Sequence, residues 1–167
     1  MLNLDVAIDG APNFRIKEIV HSSTALAYGV DNTPTMQELN NATYLARNVL
    51  QPIRDHFGKP IRVNSWYRNA QVNKLVGGSP TSFHRFGMAA DIEFLHVNDG
   101  ELIDIFEFVY NELPFTELVA EELPSGWIHV ALAKGREDEK QTKYKLYQSP
   151  VRRASFDEIM QILRGDK

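Results

Sequence analysis

The stretch SFHRFGMAADIEF (residues 82–94) sets His84 seven residues ahead of Asp91, with Gly87, Ala89 and Ala90 between them. A third group that can bind metal, His129, lies in GWIHVALA (126–133). Two imidazole nitrogens and one carboxylate oxygen, with a fourth position left open, make the donor set of a catalytic zinc site. In such a site bound water is acidified and a substrate carbonyl is polarised. The chain has no cysteine, so disulfides are excluded and any metal must be held by histidine and carboxylate. Spacing alone does not separate a metal site from three hydrogen-bonded polar residues. His21, His56 and His96 read as ordinary core or surface histidines.

The elements that must position these groups follow from periodicity. Residues 89–94 alternate, with Ala90, Ile92 and Phe94 on one face and Ala89, Asp91 and Glu93 on the other, which is a strand. ELVA (117–120) and GWIHVALA read as two more strands, joined by a turn at Pro124, Ser125 and Gly126. In the second of these, Trp127, His129 and Ala131 share a face, so pairing of the strands would bring His129 to Asp91. His84 sits in the loop feeding the first strand, where Gly87 lets the backbone fold its imidazole towards the same point.

Around them, PIRVNSWY (60–67) alternates as a strand and NAQVNKLV (69–76) is a short helix ended by Gly77 and Gly78. A longer helix is capped by Thr35 and Glu38, carries Leu39, Thr43, Ala46, Leu50 and Ile53, and stops at Gly58, with Pro52 expected to kink or split it. Residues 99–112 form a helix burying Leu102, Ile105, Phe106 and Val109, and a last helix runs from the Ser155/Glu158 capping box to Gly165. HSSTALAYGVDNTPT (21–35) reads as a long ordered loop. There is no repeat or linker, so residues 1–167 are expected to form one α+β domain. A small, mostly antiparallel sheet would carry the site, with helices on its other face.

Composition narrows the function. With 167 residues, 43% of them apolar, the chain can build its own core. The net charge is −4, and the lysines and arginines after Ala133 are interspersed with acids, so no nucleic-acid partner is expected. No stretch approaches the roughly 20 apolar residues of a membrane helix, so no membrane insertion is expected. MLNLDVAIDG lacks the basic and apolar regions of a signal peptide, which suggests a protein cytoplasmic until lysis, or carried on a virion. The sequence carries no signal for an oligomeric state.

SFHRFGMAAD also fits the S-x-H-x-x-G-x-A-x-D pattern of the zinc peptidase family that contains D-Ala-D-Ala carboxypeptidases and phage L-alanyl-D-glutamate endopeptidases. VNSWYRNAQVNKLVGGSPTSFH resembles the family's S-G-Y-R segment and the run before its histidine, and ELVAEELPSGWIHVAL resembles the strand pair ending in W-x-H. VDNTP and LQPIR are similar to the phage and prophage subfamily. The resemblance spans about residues 14–133, leaving a C-terminal extension with the helix at about 155–164.

It implies a hedgehog/D-Ala-D-Ala peptidase-like fold, one Zn²⁺ per chain on His84, Asp91 and His129, and a peptidoglycan peptide as substrate. Arg68 would face the substrate. Ser82 would orient His84 or the substrate, and Glu93, Trp127 and Glu122 would lie in the surrounding shell. Two positions depart from the pattern: Trp66 stands where glycine is usual, and Gly126 stands where many members carry the catalytic glutamate. The subfamily places that glutamate on the preceding strand, where Glu121 fits. Alternation puts Glu117, Val119 and Glu121 on one face and Glu122 on the other, so Glu121 is the expected general base. An endopeptidase released by a holin-type partner, a carboxypeptidase of the same fold and a non-catalytic wall-binding or tail domain are the functions this resemblance implies.

Overall fold

The alternating segments form the middle of a six-stranded sheet. The computed structural model describes residues 2–122 and 126–165. It opens with a hairpin of β1 (Ala7–Ile8) and β2 (Ala11–Arg15), followed by α1 (Ile16–Val20), α2 (Ser23–Tyr28), α3 (Met36–Leu45) and α4 (Gln51–Phe57). Then come β3 (Ile61–Ser65), α5 (Ala70–Leu75), β4 (Ala89–Phe94), α6 (Asp99–Glu112), β5 (Glu117–Glu121) and β6 (Trp127–Ala131). The chain closes with β7 (Gln141–Lys145), β8 (Arg152–Arg153) and α7 (Phe156–Arg164). The sheet order is β3-β4-β6-β5-β7-β8, and every neighbouring pair is antiparallel except β5 with β7. This is the mostly antiparallel α+β domain that the alternation predicts.

One sheet face is the core. Ala90, Ile92, Leu118, Ala120, Ile128 and Val130 are buried there with Ile105, Phe106 and Val109 of α6 and with Leu45, Val49, Leu50 and Ile53 from the α3–α4 segment. Each large apolar side chain fully buried in this layer contributes about 1.5–3 kcal/mol. The opposite face follows from the register. Asp91 pairs with His129, His129 with Val119, Val119 with Lys143, and Lys143 with Arg153, so these five form one row across five strands.

Several local expectations are corrected. Residues 21–35 are not all loop: α2 is capped by the Ser22 side chain, which accepts from the Ala25 N–H at 3.1 Å, and ends at Gly29 in the left-handed region. Its Leu26 and Tyr28 are exposed, so it shows no periodic apolar face. The long helix is split just ahead of Pro52, as expected, without being stopped. The backbone between α3 and α4 widens to a π-turn at Ala46–Leu50, and the Gln51 N–H bonds the Ala46 carbonyl five residues back. Strands β7 and β8 were not expected, because QTKYK carries too little apolar alternation to announce a strand. Of the expected turn, Pro124 and Ser125 lie outside the described residues. Among the described residues no helix is long and apolar enough to cross a membrane.

Candidate metal centre

His84 is placed by a 3₁₀ turn, Phe83–Phe86, that ends at Gly87 with φ 71°. A Cβ at Gly87 would lie 2.4 Å from the Glu38 carbonyl oxygen, so only glycine lets this turn pack on the start of α3. The His84 ring is 1% exposed and its Nδ1–H donates to the Trp66 carbonyl at 2.7 Å, which leaves Nε2 as the free donor. Trp66, at the position where glycine is usual, is fully buried, stacks edge-on against Phe14 and donates its indole N–H to the Gly87 carbonyl. The bulky residue thus anchors both the strand end and the histidine loop.

The three expected groups converge. His84 Nε2 lies 3.2 Å from Asp91 Oδ1 and 3.2 Å from His129 Nδ1, and the latter two are 2.8 Å apart. Ligands about 2.0–2.1 Å from a tetrahedral zinc are separated by about 3.3 Å, so this triangle fits a zinc ion with one face open. Among the described residues it is the only such cluster of three. His21 and His96 are exposed, and His56 stacks on Phe108 at 4.1 Å.

Electrostatics suit a cation. Burial pushes the Asp91 carboxyl up, but the two imidazoles outweigh it and hold the group ionised. Burial lowers the His84 pKa and favours the neutral, ligating ring. Burial also presses His129 down, but Asp91 and Glu117 outweigh it and raise its pKa, so metal binding there must displace a proton.

Glu117 was read onto this face but not as a partner of the site. Its Oε1 lies 3.3 Å from His129 Nε2, an ion-pair distance. It is off the ring N–H direction, so Nε2 has no hydrogen bond. Burial pushes Glu117 up, while His129 and Lys143 together hold it at about 2. A carboxylate behind a ligating histidine steadies the ring and strengthens its donation. Only the register reveals this contact.

Arg68 leaves β3 beside His84, its N–H bonded to the His84 carbonyl at 3.1 Å. Its side chain is half-buried, its buried Nε has no hydrogen-bond partner, and no carboxylate lies within 4.0 Å among the described residues. Burial lowers its pKa, opposed by the fields of Asp91 and Glu121. The segment is clamped by buried Asn32, whose amide donates to the Val20 and Tyr67 carbonyls and whose oxygen accepts from Asn69 N–H. Sequence reading missed Asn32, although it lies inside VDNTP.

Glu121 stands on the metal face opposite Trp127, 3.8 Å from the Lys145 ammonium, and its pKa is raised by burial first and by Asp91 second. Glu122 follows β5 with φ 56° and lies 3.4 Å from the same lysine. Trp127 is half-buried under that lysine. At Gly126 a Cβ would sit 1.9 Å from the Glu121 carbonyl oxygen, so no glutamate can replace it without moving the backbone. Ser82 caps no N–H in the 3₁₀ turn but lines the cleft beside His129. Glu93 follows Asp91 on the same face but pairs loosely with Arg62 at 3.8 Å, outside the triangle.

Residues 12–131 match the family model of Peptidase M15. The chain belongs to that family. M15 peptidases are zinc-dependent metallopeptidases, and the His84/Asp91/His129 triangle is the site in this M15 chain that could hold the ion. No curated protein matches the chain.

Proposed function

We propose that this M15 peptidase is a zinc-dependent peptidoglycan hydrolase that cleaves a peptide bond of the stem or cross-link, an endopeptidase of the phage or prophage type. The observation that carries the reading is the half-buried Arg68 guanidinium, its Nε without a hydrogen-bond partner and no carboxylate within 4.0 Å among the described residues, set beside the N, O, N triangle. A buried cation without a counter-charge is costly, and an acyl-transfer site uses such a group to meet developing negative charge or a substrate carboxylate.

His84, Asp91 and His129 would hold the zinc, which when bound polarises the scissile carbonyl and acidifies water. Glu121 takes a proton from the attacking water at a carboxylate oxygen and returns it to the leaving amine nitrogen. Its raised pKa brings the carboxyl towards the range where it can do both. The Arg68 N–H groups stabilise the carbonyl oxygen as it becomes negative. Glu117, itself held by Lys143, and the Trp66 carbonyl orient the two imidazoles. The phage-type segments VDNTP and LQPIR support the endopeptidase form. The Arg68 guanidinium equally suits the terminal carboxylate of a carboxypeptidase substrate, so product analysis is the discriminating test.

Purified peptidoglycan is treated with the zinc-loaded chain, with and without chelator, and the muropeptides are analysed by mass spectrometry. New amino groups inside the stem or cross-link, lost with chelator, are expected. Release of free D-alanine alone would assign the carboxypeptidase form. Intact muropeptides would refute hydrolysis and leave a wall-binding or structural domain.

A further inference from the structure

The row that carries the metal ligands does not stop at the metal. Beyond His129 and Val119 it continues through Lys143 to Arg153, on the same sheet face, in strands β7 and β8. These strands lie past residue 131, where the match to the family model ends. A cleft of about 700 Å³ opens beside His129 and is lined by Lys134, Arg136, Lys143 and Arg153, with Phe83 and Phe86 on its apolar side. Its one carboxylate is Glu117, already engaged by Lys143 and His129. Arg136 is engaged by Glu139 and lies over the Phe83 ring. Lys134 and Arg153 are exposed and have no acid within 4.0 Å among the described residues. In a chain of net charge −4, this gathers four cations in a cleft beside the metal-ligand residue His129, and two of them, Lys134 and Arg153, are without a paired acid among the described residues.

We infer that this wall, built by the segment after the family match, is a specificity subsite for a peptide that carries a free carboxylate at a fixed distance from the scissile bond. Neighbouring strands are about 4.8 Å apart, so Lys143 stands about 10 Å and Arg153 about 14 Å from His129 along the row. An extended peptide advances about 3.3–3.6 Å per residue, so the recognised carboxylate lies about three to four residues from the bond at the metal. The cations attract and orient it, while Phe83 and Phe86 offer apolar surface to the chain between. The inference rests on the proposed peptidase reading and adds the chemical feature of the substrate that the cleft selects.

The test uses the zinc-loaded full chain and two synthetic stem-type peptides. In both, the scissile amide is replaced by a ketomethylene group that cannot be hydrolysed. They differ only in a free carboxylate or a carboxamide three residues from that group, and binding is measured by calorimetry. Exposed ion pairs are individually weak and screened by salt, so the expected preference is about tenfold for the carboxylate at low ionic strength, shrinking as salt is added. The Lys134→Gln, Arg153→Gln double variant, both positions being exposed, is expected to keep its melting temperature and lose most of that preference.

Equal affinity of the two peptides would overturn the inference, as would a preference that survives in the double variant. The muropeptide assay answers the separate question of hydrolysis. Selective binding without cleavage would leave the subsite standing and remove the peptidase reading, and cleavage with equal affinities would do the reverse.

Discussion

Replacing Glu121 with glutamine changes one carboxylate oxygen for an amide and leaves the shape of the side chain. Glu121 lies two residues along β5 from Val119, the residue opposite His129, so its backbone is about 8 Å from that of His129. A glutamate side chain pointing along the metal face spans enough of that gap to reach a water between the two. Loss of a general acid/base group typically lowers kcat by about 10²–10⁴, equivalent to about 2.7–5.5 kcal/mol in the barrier. Stability should not follow. A carboxyl whose folded-state pKa is raised binds its proton more tightly in the folded chain, so above that pKa its charge disfavours folding. Glutamine removes this cost and forfeits only a long, partly buried contact with Lys145 at 3.8 Å, worth about 0–1 kcal/mol. Hydrolysis of a defined stem peptide, zinc content and thermal melting are measured on Glu121→Gln and Glu122→Gln in parallel. The reasoning fails if Glu121→Gln keeps more than a tenth of the wild-type kcat, or if Glu122→Gln is the inactive member of the pair.

Three further outcomes are expected. His84→Ala, Asp91→Ala and His129→Ala each lose most bound zinc by elemental analysis, whereas His21→Ala and His96→Ala, both exposed, keep it; full occupancy in His129→Ala would dismiss the site. Gly126→Ala is destabilised by about 1–3 kcal/mol in denaturant unfolding, because its Cβ meets the Glu121 carbonyl at 1.9 Å; a neutral result would refute that packing. Asn32→Ala leaves two buried carbonyls and the Asn69 N–H without partners, costs about 2–4 kcal/mol, and weakens substrate binding through the Arg68 segment; unchanged stability would remove its role as a clamp.

What the sequence revealed divides along locality. His84 and Asp91 share one turn and one strand, so their approach is written in seven residues, and strand alternation alone put Asp91, His129 and Glu121 on faces that can meet. Helices α3 and α7 begin at the Thr35/Glu38 and Ser155/Glu158 capping boxes that the sequence shows. Nothing local signals that β7 runs parallel to β5, a pairing that comes after a turn and joins two charged segments. The cationic row through Lys143 and Arg153 depends on that pairing and stayed hidden, and the contact of Glu117 with His129 stayed hidden because it rests on the register of β5 against β6. Asn32 stayed hidden for a related reason, because its partners at Val20, Tyr67 and Asn69 are up to 37 residues away.

The two departures from the family pattern have a common physical basis in the backbone around the site. At position 126 the chain approaches the Glu121 carbonyl so closely that a side chain is shut out, and the proposed base stands instead at Glu121 on β5. At position 66 a glycine would leave space that Trp66 fills between Phe14 and the Gly87 turn, and the same residue's carbonyl sets the His84 tautomer. Glu121 stands in register with Trp127, on the face that carries His129 and Asp91, whereas position 126 falls out of that alternation by one residue.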